Sequence, residues 1–178
     1  MRVFWLVVLC VLSINTSNAG GGWLRSAVDA PELPAPDAQN WINSEPLQLA
    51  HLKGKVVLID FWTFDCWNCY RSFPWLKQLE SDLKDEPFIV LGVHTPEFAH
   101  ERVRKNVEAK VIEFGLEHPV VMDNDFGYWK AMENRYWPAF YLLDKQSRVR
   151  AVFFGETHQR DAQARAIRAV INRLLSEG

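Results

Sequence analysis

The sequence predicts an α/β domain with a central mixed β-sheet flanked by helices, and three observations predict it. Two apolar runs, 56–62 and 88–93, enclose a helical pattern and so make a strand–helix–strand unit. Two shorter runs, 140–143 and 149–154, face each other across Asp144-Lys145-Gln146-Ser147 as a hairpin. A closing helix carries Ile167, Val170, Ile171, Leu174 and Leu175 at the spacing of one helical face. The composition agrees: 178 residues, 48% hydrophobic and 24% charged, describe a globular protein and exclude disordered, collagen-like and coiled-coil classes. That length can bury a core without disulfide staples. A net charge of −2 gives no electrostatic case for nucleic acid as a partner.

The elements follow in order along the chain. Arg2, the apolar run 3–12 and the small residues Ser17 and Ala19 read as a signal peptide over residues 1–19, cleaved after Ala19. Ten apolar residues fall short of the roughly 20 that span a bilayer, so no transmembrane segment is expected in the mature chain. Cys10 lies in that leader and is expected to leave with it. Cys66 and Cys69 remain, in an oxidising compartment, periplasmic or secreted. Residues 20–40, with Gly20-Gly21-Gly22, Pro31, Pro34 and Pro36, read as an extended N-terminal arm, and 41–178 as the folded domain. Residues 41–49 suggest a short N-terminal hairpin turning near Asn43-Ser44. VVLIDFW, 56–62, is apolar at every position but one, the pattern of a strand buried on both faces. A helix over 66–83 turns Phe73, Leu76, Leu79 and Leu83 inward. Another spans 98–114 through Val103, Val107, Val111 and Phe114 and stops at Gly115. A short strand at 120–122 and a short helix at 126–132 complete the set.

The chemistry sits where the first buried strand gives way to a helix. Cys66-Trp67-Asn68-Cys69 is a C-x-x-C. The first sulfur falls at a helix N-terminus, where unpaired N–H groups and the macrodipole favour a thiolate. The second lies one turn deeper. Cys66 is therefore the expected nucleophile and Cys69 the resolving thiol. Half a zinc site would need a second ligand pair, yet the five histidines lie scattered, so neither a metal nor any other cofactor is expected. A structural disulfide across two residues would constrain the unfolded chain very little. Asp60, six positions before Cys66, is a carboxylate inside an apolar strand. Burial should raise its pKa and suit it to proton transfer with Cys69. Asp65 directly precedes the helix and reads as its N-cap, with a charge that opposes the dipole at Cys66.

With those residues in place, the run VVLIDFWTFDCWNC resembles the thioredoxin active-site strand and loop, and Pro74 matches the proline within the thioredoxin active-site helix. WINSEPLQLAHLKGKVVLIDFW, GVHTPEF, HPVVMDND and YWPAFYLLD resemble more closely the thioredoxin-like domain of TlpA/ResA- and DipZ-type proteins. The resemblance implies a thioredoxin fold and a cis peptide at Trp137-Pro138 facing the cysteines. It also implies an extracytoplasmic thiol–disulfide oxidoreductase acting on protein disulfides or dithiols, linked to cytochrome c biogenesis and protein-thiol reduction. The membrane electron-carrier domain of DipZ-type proteins has no counterpart in these residues, so a separate membrane electron donor is expected. Trp67, between the cysteines, and Trp137 are expected to form an apolar platform for a partner segment, with Pro138 shaping the groove. Trp62 and Trp75 are assigned to the core. Two other readings stand beside this one. Thr63-Phe64-Asp65-Cys66 fits the T-x-x-C of a peroxiredoxin-type peroxidase, although Ile59 stands where that family has proline. A dithiol could also serve a non-catalytic metal-binding module.

Overall fold

A computed structural model describes residues 25–34 and 37–177. The expected signal peptide, and residues 20–24, 35 and 36 of the expected arm, lie outside the described residues. In chain order the strands are β1 (Val28–Asp29), β2 (Trp41–Ile42), β3 (Val56–Trp62), β4 (Phe88–His94), β5 (Val120–Met122), β6 (Ala139–Leu143) and β7 (Arg148–Phe154). The helices are α1 (Leu49–Leu52), α2 (Trp67–Asp82), α3 (Arg104–Phe114), α4 (Gly127–Ala131) and α5 (Ala162–Ser176). One mixed sheet runs β1-β7-β6-β3-β4-β5-β2. β3, β4 and β5 are parallel neighbours, and every other pairing is antiparallel. This is the thioredoxin fold.

β3 sits at the centre with all seven residues buried. Successive side chains of a strand point to opposite faces, and the two faces have separate cores. Val56, Leu58 and Trp62 pack under α2, α3 and α5; Val57, Ile59 and Phe61 pack with Trp41, α1 and Tyr128 of α4. Each buried aliphatic side chain stabilises the fold by roughly 1.5–3 kcal/mol, which is why the run is apolar. Asp60 has the parity of Leu58 and Trp62. Its carboxyl therefore points toward the face that α2 covers.

Several expectations change at the edges. Residues 41–49 do not form a hairpin. Trp41 and Ile42 pair instead with Val121 and Val120 of β5, and Leu49 opens the one-turn helix α1. Asn43 takes φ 64°, and its amide donates to the carbonyls of Leu116 and His118, which ties the bend to the loop before β5. The arm is not wholly structureless either: Val28 and Asp29 pair with Val149 and Arg148 at the opposite sheet edge. The expected helix over 98–114 divides into a 3-10 turn at Ala99–Arg102 and α3, with Val103 between them and exposed. Its expected stop holds, with Gly115 left-handed at φ 63°. Trp62 and Trp75 lie in the core as expected, and Trp41 joins the second core.

Candidate active site

The loop 63–66 carries the chain from the end of β3 into α2. Cys66 is extended at φ −79°, ψ 104° and caps the helix, its sulfur accepting from the Cys69 N–H at 3.2 Å. Asp65 is thus not the cap. Its N–H donates to Glu101 at 3.0 Å and its carboxylate meets His100 Nε2 at 2.6 Å, so the residue turns away from the helix toward the 99–102 turn. Cys66 and Cys69 form a disulfide with Cα atoms 5.3 Å apart. Cys66 is half-buried and Cys69 is buried. Two residues between the sulfurs and one helical turn produce that asymmetry directly.

Asp60 lies below α2 with 1% of its surface exposed, and its Oδ1 is buried without a hydrogen-bond partner among the described residues. Burial, aided by the charge of Glu80, pushes its carboxyl up to about 8. The carboxyl is therefore protonated over most of the neutral range. Trp137-Pro138 is cis, as the resemblance implied. Pro138 is buried, and its carbonyl accepts from Gly155 N–H at 2.9 Å. Trp137 is half-buried, its ring 4.2 Å from that of Trp129. Trp67 is 67% exposed, its ring 5.6 Å from that of Tyr70.

Sequence reasoning missed a second acid. Glu101 is 0% exposed and holds the cysteine loop in place. Its Oε1 accepts from the Thr63 hydroxyl and the Asp65 N–H, and its Oε2 from the N–H groups of Glu97 at 2.7 Å and Phe98 at 2.6 Å. Burial works to raise this carboxyl, but the bonds from Thr63, Phe98, Asp65 and Glu97 outweigh it and hold the group below the usual carboxylate range. The Thr63 hydroxyl spends its proton on Glu101, so its oxygen must accept from His94 Nε2–H, 3.3 Å away. Burial lowers His94 to about 4 against the pull of Glu101, so the ring is neutral at pH 7. The surrounding string AHERVRKN offered no sign that one of its charged residues is buried. Among the described residues no group of three or more His, Cys, Asp or Glu could hold a metal ion.

The central strand, the cysteine-capped helix and the cis proline belong to a recognisable lineage. A model of the AhpC/TSA family matches residues 27–152. The chain belongs to the AhpC/TSA family. Within it, Protein DipZ of Mycobacterium tuberculosis is 40% identical over 153 residues, 80% of this chain and 22% of DipZ. The chain thus spans about a fifth of the length of DipZ. Thiol-disulfide oxidoreductase ResA of Bacillus subtilis is 26% identical over 153 residues, 84% of this chain and 80% of ResA. Among solved structures, the thioredoxin-like superfamily protein SPOA0173 superposes with a TM-score of 0.73 at 28% identity, covering 84% of this chain and 97% of that one. The DipZ- and ResA-type resemblance read from the motifs is borne out. Among the described residues no helix is long and apolar enough to cross a membrane.

Proposed function

We propose that this AhpC/TSA-family chain is an extracytoplasmic thiol–disulfide oxidoreductase working mainly as a reductase of protein disulfides. One observation carries the reading: a half-exposed sulfur at the N-cap of α2 is bonded to a buried sulfur one turn deeper. In the dithiol form the Cys66 thiolate, favoured by the helix terminus, attacks a substrate sulfur and forms a mixed disulfide. Cys69 then attacks Cys66 and releases the substrate thiol. Asp60, beneath the same helix, takes the Cys69 proton. Trp67, Trp137 and Pro138 border the groove for the partner segment, a role the exposure of Trp67 supports. The leader pattern of residues 1–19 supports a periplasmic or secreted site, where a membrane electron donor would restore the dithiol.

Reduction of insulin disulfides by the reduced protein tests this. Cys66→Ala is expected to abolish turnover, and Cys69→Ala to halt at a trapped mixed disulfide visible by mass. Undiminished reduction by Cys66→Ala would remove the reading.

The T-x-x-C pattern keeps a thiol peroxidase as the second reading. The position of Thr63 weighs against it: the hydroxyl is buried and donates to Glu101, so it has no proton left for a peroxide at Cys66. Stopped-flow oxidation of the dithiol by hydrogen peroxide separates the two.

A further inference from the structure

Beneath α2 three polar side-chain atoms, two from β3 and one from the loop before β5, are buried and unpartnered among the described residues: Asp60 Oδ1, Trp62 Nε1 and His118 Nε2. Two of them, Trp62 Nε1 and His118 Nε2, converge on Gly92. Asp60 and Gly92 are register partners across the parallel β3–β4 pair, so the bare Cα of Gly92 shares a sheet face with the carboxyl. A Cβ on Gly92 would stand 3.0 Å from Trp62 Nε1 and 3.3 Å from His118 Nε2. The backbone there is not left-handed, so it is crowding by these two rings and by Val120 Cγ2, 3.1 Å from such a Cβ, that calls for glycine.

The other side of the imidazole faces outward. His118 Nδ1 lies 3.1 Å from Glu80 Oε2, with the imidazole side chain 1% exposed and the carboxylate side chain 26% exposed. Both line a surface cleft of about 210 Å3 together with Lys84 and Glu117. The His118–Glu80 pair therefore leads from the buried side of Gly92 to a carboxylate that water reaches. Of the elements packed around Asp60, α2 contributes Glu80, while β4 and β6 present Gly92 and Phe140, which do not titrate.

We propose that His118 and Glu80 form the route by which the proton of Asp60 exchanges with solvent, through a water bridging Asp60 Oδ1 and His118 Nε2 beside Gly92. Such a water needs two to four polar partners, and Trp62 Nε1–H supplies a third. The relay rests on the proposed role of Asp60 and extends it. The resolving step runs through the ionised fraction of Asp60, whose own proton has first left through the relay, and the Cys69 S–H proton then passes to that carboxylate. The Cys69 sulfur forms its bond to Cys66 as the Cys66–substrate S–S bond breaks, and the substrate leaves as a thiolate. The cysteine pair is oxidised by two electrons and the substrate disulfide is reduced by the same two. The departing thiolate is protonated from solvent, and the proton held on Asp60 returns to solvent through His118 and Glu80. An imidazole can accept at one nitrogen while it releases at the other, which fits His118 to this place. His118 and Glu80 act through Asp60 and are positioning residues rather than catalytic ones.

The test is single-turnover oxidation of the dithiol protein by a small disulfide, followed by tryptophan fluorescence from pH 6 to 9, with the equilibrium potential against glutathione measured alongside. Asp60→Asn is expected to slow the resolving phase by about 10²-fold, at the lower end of the range for general acid–base transfer. His118→Phe is expected to slow the same phase about 10-fold with the potential unchanged, because a relay alters rate and not equilibrium. Glu80→Gln, at a part-exposed site that tolerates change, should slow it and move its pH midpoint downward, and Glu80→Asp should restore it. If Asp60→Asn slows resolution while the profiles of His118→Phe and Glu80→Gln superpose on the parent, the relay is wrong and the role of Asp60 stands. A loss of rate in His118→Phe matched by a changed potential would mark a structural role and overturn the relay as well. If Asp60→Asn has no effect, the role of Asp60 fails and the relay falls with it.

Discussion

Two buried carboxylates flank the cysteine loop, and they have opposite fates. Asp60 lies in the apolar underside of α2, where its Oδ1 finds no donor and burial keeps the group protonated up to about 8. Glu101 is likewise shielded from solvent but receives one hydroxyl and three backbone N–H groups, and its pKa is held below the usual carboxylate range. Both carboxyls are shielded from solvent, Asp60 the more deeply, and burial works to raise both, so burial alone does not decide the charge. The number of donors aimed at the oxygens does. The consequence is a division of labour: Asp60 can gain and lose a proton under working conditions, whereas Glu101 is a fixed anion that organises backbone.

The largest expected effect separates the two acids by pH. The folded-state pKa of Asp60 is raised, so the native protein keeps a proton that the unfolded chain releases near 3.8. Stability is therefore lost as pH rises from about 4 to about 8 and is constant beyond. Asp60→Asn removes that loss, and the stability difference between variant and parent should grow by roughly 5 kcal/mol across the window, on the linkage scale of about 1.4 kcal/mol per pH unit. Urea unfolding of the oxidised proteins at pH 4 and pH 9 measures it. A difference independent of pH would break the contrast between the acids.

Glu101 has the opposite sign. Its pKa is depressed, so its contribution is complete above the unfolded value near 4.5 and is lost only as pH falls below that. Glu101→Leu leaves one buried and three part-buried donors without this acceptor and is expected to cost about 3 kcal/mol at pH 7. Amide exchange at Asp65 and Phe98 should accelerate in the same variant. Unchanged exchange at both would mean that Glu101 does not hold the loop.

The smallest effect lies at the exposed rim of the loop. The Asp65–His100 pair, 2.6 Å apart and open to solvent, is worth under about 1 kcal/mol. It stands next to Cys66, however, and there it moderates a negative charge. Alkylation of the reduced protein at pH 7 should slow by less than about fivefold in His100→Ala and quicken in Asp65→Asn, with both effects fading in high salt. Equal rates at low salt would remove Asp65 from the account of thiolate reactivity.

These regions also differ in how far the sequence revealed them. Asp60 was legible because one carboxylate interrupts six apolar residues, and a strand buried on both faces leaves it nowhere else to point. Cys66, Cys69 and α2 were legible from spacing, since one helical turn separates the sulfurs wherever the helix lies. Asp65 was misread as a cap because its N–H and carboxylate are claimed by Glu101 and His100, 36 and 35 residues away. Residues 41–49 were misread as a hairpin for a related reason: two apolar residues and a bend fit a local turn, but their partners lie in β5. Glu101 and His118 carried no local sign at all.

By itself the sequence determined what repeats along the chain and what acts between neighbours. That covers the buried central strand, the helical faces of α2 and α5, and the placement of one sulfur at a helix terminus with another beneath it. Only the tertiary structure decided which polar groups meet across elements: Thr63 with Glu101 and His94, Asp65 with Glu101 and His100, and His118 with Glu80. Periodicity is written into consecutive residues, whereas a buried charge takes its state from donors and dipoles that arrive from distant segments once the sheet has closed.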